Sequence, residues 1–310
     1  MDNPDHPNRR EALTCMLWAG SGMLWTFVGG VPRSSMLGSA QAEEARATGD
    51  FSFVQISDSH IGFANPPNTD PATTLEEATA QVRARHGSAE LLIHTGDVSH
   101  LSRPAEFDVA EMLVRGTGLD AHYVPGEHDV LVENGRPFFE RFTRGAREGG
   151  WYSFDQHGVH FIGLNNVSDL RAGGLGRLGE TQLEWLEDDL QGRPASQPIV
   201  VFAHIPLWTV YRDWGWGTED SEQALSYLRR FGSVTVLNGH IHQVMQKVEG
   251  NVAFHTAMST AFPQHPPGGP SPGPIRDLPP GRLRSTLGVT SVRAVQGQQR
   301  LATVDTPLGA

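Results

Sequence analysis

From residue 51 onward, short apolar runs alternate with longer stretches whose apolar positions recur every three or four residues. The runs 51–57, 91–94, 121–124, 199–202 and 233–237 are four to seven residues long. That is too short for a helix and fits buried strands. The stretches 73–86, 104–115, 179–190 and 221–231 predict helices. Pro104 stands in the first turn of the second, and Gly87 and Gly116 stop the first two. Three pairs of runs predict hairpins: 151–154 with 159–164, 244–248 with 252–255, and 290–295 with 300–304 around Gly297. Strand–helix alternation followed by hairpins predicts a mixed α/β sandwich. Residues 263–281 are rich in Pro and Gly and read as an irregular surface loop.

The first 42 residues follow another pattern. Arg9 and Arg10 precede an apolar region over about 12–31, and Ser39-Ala40-Gln41-Ala42 places small residues where a signal peptidase reads them. Paired arginines in that position resemble a twin-arginine signal. Residues 1–42 are expected to engage the twin-arginine export machinery and to be removed after Ala42, leaving residues 43–310 as one periplasmic or secreted domain without a stable membrane anchor. The alternative is an uncleaved N-terminal anchor, since about 20 apolar residues just suffice to span a bilayer.

Composition narrows the partners. A net charge of −11 over 310 residues disfavours nucleic acid and anionic membrane. It also means that an anionic substrate needs positive charge supplied locally, as bound metal ions would do. The single cysteine, Cys15, excludes a disulfide framework and a Cys-based zinc site.

The candidate chemistry lies just beyond the strand ends. Asp58 and His60 follow the first run and Asp97 the second. Glu127, His128 and Asp129 follow the third, and His204 follows the fourth. His240 and His242 follow the fifth, after a Gly239 that permits a sharp turn. Each has an ordinary reading alone: an Asp after a strand usually caps a turn, and a lone His before Ile205-Pro206 usually packs half-buried. Ligands of open α/β sheets gather beyond the C-terminal strand edges, and five such ends in one chain point to a metal site there.

Asp58-x-His60, Gly96-Asp97, Gly126-x-His128-Asp129, His204 and Gly239-His240-x-His242 resemble the calcineurin-like metallophosphoesterase superfamily over about residues 51–256. The resemblance implies an α/β fold, a four-layer αββα sandwich of two mixed sheets. It implies two divalent or mixed-valence metal ions (Fe, Mn or Zn). Asp58, His60 and His242 would hold one, His204 and His240 the other, and Asp97 would bridge them, its two oxygens serving two cations about 3.5–4 Å apart. It gives His128 the role of donating to the leaving or phosphoryl oxygen, with Asp129 holding that imidazole's other nitrogen. The implied activity is hydrolysis of a small phosphomonoester or phosphodiester by a metal-bridging hydroxide. A non-catalytic metal-binding module on the same fold is the alternative, and a nuclease is disfavoured by the acidic balance.

Two positions depart from the pattern. Glu127 stands where most members have Asn. Either it ligates the second metal and favours a harder ion such as ferric iron, or its length pushes it aside. His100 stands where purple acid phosphatases place a ligating Tyr, so no purple chromophore is expected. Trp208, Tyr211, Trp214 and Trp216 read either as simple packing or as an aromatic wall beside the substrate. Arg171 and Arg177 read either as solvated loop residues or as anion contacts.

Overall fold

The computed structural model describes residues 22–28, 31–37, 51–143, 146, 149–294 and 301–309. Two mixed sheets stack face to face. The five-stranded sheet runs β13–β12–β3–β4–β5, with β3 Ser52–Ile56, β4 Leu91–His94, β5 Asp120–Tyr123, β12 Gly288–Arg293 and β13 Ala302–Pro307. Its β3, β4 and β5 are mutually parallel. The six-stranded sheet runs β10–β11–β9–β8–β7–β6, with β6 Tyr152–Gln156, β7 Val159–Gly163, β8 Ile199–Phe202, β9 Val234–Asn238, β10 Met245–Glu249 and β11 Val252–Thr256. There β7, β8, β9 and β11 are parallel, and β6 and β10 close the edges antiparallel.

Period-two alternation sets the layers. On β8, Val200 and Phe202 enter a core between the sheets, where they join Phe53, Leu91, Ile93, Phe161 and Leu237. Ile199 and Val201 face the other way, onto Leu183, Leu186 and Leu190 of one helix (Glu180–Leu190) and Ala224 and Leu228 of another (Ser221–Leu228). On the other sheet, Val54, Ile56 and Leu92 face the helices Pro71–Arg85 and Pro104–Arg115 through Leu75, Val82, Phe107 and Val114. The result is the expected four-layer αββα sandwich.

The expected strands, helices and hairpins form, with ends moved by a few residues. The turn of the C-terminal hairpin lies outside the described residues. Two short helices were not foreseen, Arg136–Phe142 and Leu283–Thr286. Residues 263–281 contain no regular element. β1 (Gly22–Val28) and β2 (Val31–Leu37) pair antiparallel as a separate sheet, within the segment read as an export signal. Residues 1–21, 29–30 and 38–42 of that segment lie outside the described residues. No described helix is long and apolar enough to cross a membrane.

Candidate metal centre

Parallel strands from both sheets end at one crevice. Asp58 and His60 follow β3, Asp97 follows β4 and Glu127 follows β5, while His204 follows β8, and His240 and His242 follow β9. The backbone is forced at these turns. Asp58, His60, Asp97, His240 and His242 all have φ between 40° and 69°, in the left-handed region that non-glycine residues rarely enter. Such strain persists where the surroundings over-determine it, typically at functional sites. Gly239 is needed for close approach: a Cβ there would collide with Ser57 and lie 2.6 Å from Asp58 Oδ2.

All seven expected ligands come together. One group is Asp58, His60 and His242, and another is Glu127, His204 and His240. Within each, the ligand atoms lie within 4.8 Å of one another. His60 Nε2 is 3.2 Å from His242 Nε2, which is 3.3 Å from Asp58 Oδ1. His204 Nε2 is 2.9 Å from Glu127 Oε2, and His240 Nδ1 is 3.0 Å from Glu127 Oε1. Neighbouring donors around an ion with bonds near 2.1 Å stand about 3.0 Å apart at octahedral and about 3.4 Å apart at tetrahedral angles. The cluster has those spacings. Asp97 Oδ2 joins both groups, 3.4 Å from His60 Nε2 and 3.5 Å from His204 Nε2. The expectation of one carboxylate oxygen per metal is corrected here. Asp97 faces both groups with the same oxygen, because Oδ1 accepts the backbone N–H of His128 at 2.9 Å.

Backbone carbonyls fix the imidazoles. His204 Nδ1 donates to Thr95 O (2.7 Å) and His242 Nδ1 to Phe262 O (2.6 Å). A carbonyl only accepts, so each Nδ1 carries the proton and each Nε2 turns a lone pair to the cluster. Two acceptors, His204 Nε2 and Glu127 Oε2, therefore stand 2.9 Å apart, and Glu127 Oε2 is buried without a donor. That arrangement requires a cation, and a metal ion or a second proton on His204 supplies one. Burial lowers His204, but the carboxylates of Asp97 and Glu127 overcome it and hold the imidazole well above its ordinary pKa. Burial raises Asp58, but His242 and then His204 bring it down to about 2. Burial lowers His60 well below the usual range, and His128, His242 and His100 reinforce the shift. The donor set, the spacing and the unmatched acceptors all fit two metal ions.

His128 and Asp129 do not form the expected pair. His128 Nδ1 donates to the carbonyl of His100 at 2.8 Å, which leaves Nε2 for a substrate. Asp129 is buried and accepts from the backbone N–H groups of Val98, Ser99 and Gly126 and from Ser99 Oγ. It is spent on holding the Asp97 and His128 turns together. His100 also stacks on the His128 ring at 4.8 Å and sets its Nδ1 3.3 Å from His60 Nδ1. It therefore groups with His60 and His128 and belongs to neither ligand group.

The aromatic run divides. Trp216 is buried and Trp208 packs on Phe254, so both belong to the core, while Tyr211 and Trp214 pack edge to face in the loop. Arg171 pairs with Asp169 and Glu219, and Arg177 with Asp169. Phe262 was missed. Its ring covers His60 (4.8 Å) and His242 (4.6 Å). A lone Phe before a Pro/Gly-rich stretch gives no sequence signal of such a role.

Comparison with known proteins agrees with this geometry. The family model for calcineurin-like phosphoesterase matches residues 51–244. A 3′,5′-cyclic-nucleotide phosphodiesterase of a Nostoc species is 25% identical, over 68% of this chain and 79% of its own. A probable glycerophosphodiester phosphodiesterase of Arcobacter nitrofigilis is 24% identical, over 66% of this chain and 77% of its own. A solved dimetal phosphatase from Danio rerio superposes with a TM-score of 0.59 at 18% identity, over 82% of this chain and 98% of that one. A purple acid phosphatase from yellow lupin seeds gives 0.61 at 15%, over 84% of this chain and 52% of that one.

Proposed function

The chain belongs to the calcineurin-like phosphoesterase family and is a metal-dependent phosphoric ester hydrolase; from that premise we propose that its substrate is a small phosphodiester, cleaved at a two-metal centre. Asp58, His60 and His242 would hold one metal and Glu127, His204 and His240 the second, with Asp97 Oδ2 within reach of both groups. When bound, the two cations neutralise phosphoryl charge and activate water. The observation that carries the reading is the pair of ligand groups joined at Asp97 beside the Nε2 of His128.

The chain's own residues do the rest. Asp97 Oδ1 holds the His128 backbone, and the His100 carbonyl holds its Nδ1, so Nε2 is aimed by two contacts before substrate arrives. In the metal-free chain burial lowers the His128 pKa, but the Asp97 and Glu127 carboxylates raise it on balance; in the reaction its Nε2 is the group placed to give a proton to the leaving oxygen. The water oxygen bonds to phosphorus as the P–O bond to the arm breaks; His128 gives its proton to the departing oxygen, the proton released by the water restores it, and an alcohol and a monoester result.

Two observations favour a diester over a monoester. The two sequence relatives described above are named as phosphodiesterases. The two candidate anion-binding arginines are occupied by acids, so they offer nothing for a second phosphate charge. The test uses protein stripped of metal and reloaded with Mn²⁺, Zn²⁺ or iron. Bis(p-nitrophenyl) phosphate should be cleaved faster than p-nitrophenyl phosphate, and a chelator should abolish both. Preference for the monoester would end the diester reading, and inertness with every metal would end the reading of the site.

We also propose export through the twin-arginine route, supported by Arg9-Arg10 ahead of the apolar region and by Ser39-Ala40-Gln41-Ala42. Replacing both arginines with Lys should hold the uncleaved chain inside the cell. Unchanged export and processing would refute the route.

A further inference from the structure

Leu101, Leu131 and Val132 are 37%, 58% and 40% exposed, and they make up half of the six large exposed apolar side chains among the described residues. They sit on two loops that also carry the outer histidines. Leu101 follows His100, and Leu131 and Val132 follow His128 within four positions. The loops are tied together at one atom. Ser102 Oγ donates to the carbonyl of His128 at 2.7 Å and accepts the N–H of Leu131 at 3.0 Å. Isolated exposed apolar residues are ordinary, but a group of them continuous with a reaction centre marks a binding surface.

The backbone gives a second, independent observation. Ser102, Glu133 and Asn134 have φ of 55°, 50° and 52°. Of the nine left-handed non-glycine residues among the described ones, five are expected ligands and these three flank the apolar group. Strain of this kind is kept where position matters. Phe63 continues the apolar lining inward, its ring edge-on to His100 at 5.2 Å and 4.4 Å from Phe262.

We propose that Leu101, Leu131 and Val132 form the surface that receives an apolar leaving arm, so that the preferred substrate is a phosphodiester of an alkyl or aryl alcohol. The assignment rests on the phosphodiesterase reading. It follows from position: His128 is the proposed donor to the departing oxygen, and the apolar group lies on the two loops that hold His128. Of the two arginines beside these loops, Arg136 is engaged by Glu133, and Arg103 lies 3.9 Å from Glu106.

The experiment uses the metal-loaded enzyme and methyl phosphodiesters of 4-alkylphenols, with the alkyl group lengthened from methyl to butyl. The para substituent changes leaving-group acidity little, so the series reports binding of the arm. kcat/KM should rise about two- to fourfold per added CH₂, carried by KM. Leu101→Ser with Leu131→Ser should flatten the series at unchanged metal content. A flat series in the wild type, or an equal slope in the double variant, overturns the proposal. So does a double variant that loses self-association with its slope intact, since the patch would then pair two copies. If the esters are cleaved without any slope, only this inference fails; if none is cleaved with any metal, the phosphodiesterase reading fails with it.

Discussion

His128 and Asp129 are adjacent in sequence and serve different ends. His128 is half-buried, with one ring nitrogen committed to the His100 carbonyl and the other left for substrate. Replacing it with Ala removes the proposed proton donor and none of the seven proposed ligands. Turnover should fall about 10²–10⁴-fold with metal content unchanged, as read by steady-state rates beside metal analysis. Asp129 takes four donors from the turns that carry Asp97 and His128. Asp129→Ala leaves those donors buried and unpaired, at about 1–3 kcal/mol each, so it should lower stability and metal retention together. Unfolding by urea separates the two variants: only the second should shift the midpoint. Glu127 is a third case. It lies between two imidazoles of one ligand group and adds a full negative charge there. Glu127→Asn should lower iron retention relative to zinc, as measured by metal content after reloading from a mixture.

At the scale of elements, the sequence made the strands and their ends legible because the signal is local. Four to seven apolar residues followed by Asp, Glu or His mark a buried strand and a ligand-bearing turn, and that reading needs no tertiary knowledge. The helix Arg136–Phe142 escaped because its seven residues are shorter than the roughly 11-residue window over which a helical period is read, and Phe138 shows its burial only after folding. What fixes the ligands was also not legible. Thr95 and Phe262 act through backbone carbonyls, which any residue possesses. The irregular stretch after β11 thus does more than cover the surface. Phe262 seats His242, and Gln264 donates to the carbonyl of His240 at 2.9 Å. Phe262→Ala removes the ring over His60 and His242 and loosens the carbonyl that orients His242. Supporting contacts of this kind are worth about 10–100-fold in metal affinity. The variant should release metal to a chelator that much more readily. Equal retention would show that the loop backbone alone suffices.

The whole molecule explains why the centre matters beyond catalysis. Asp58, His60, Asp97 and Glu127 come from one sheet, and His204, His240 and His242 from the other, so bound metal ties the two halves of the sandwich at one edge. Without metal, three carboxylates and four imidazoles share a buried crevice. His204 is then held well above its ordinary pKa, because Asp97 and Glu127 outweigh its burial. A group whose folded pKa is raised stabilises fully below its unfolded value of 6.5 and loses that contribution as pH rises through the folded value. The metal-free protein should therefore weaken on the alkaline side. The metal-bound protein should move the opposite way relative to it, since metal competes with the proton for His204 Nε2 and binds more tightly as pH rises. Metal at about 1,000 times its dissociation constant contributes about 4 kcal/mol. For a chain of 310 residues that is a melting shift of roughly 6 °C. The gap between loaded and stripped protein should widen from pH 6 to pH 8 in calorimetry. Asp97→Ala should close most of the gap and His128→Ala none of it, because only the first removes an atom shared by both ligand groups. A gap independent of pH would mean that metal does not replace a proton at His204, and the absence of any gap would mean that the two sheets are joined by their cores alone.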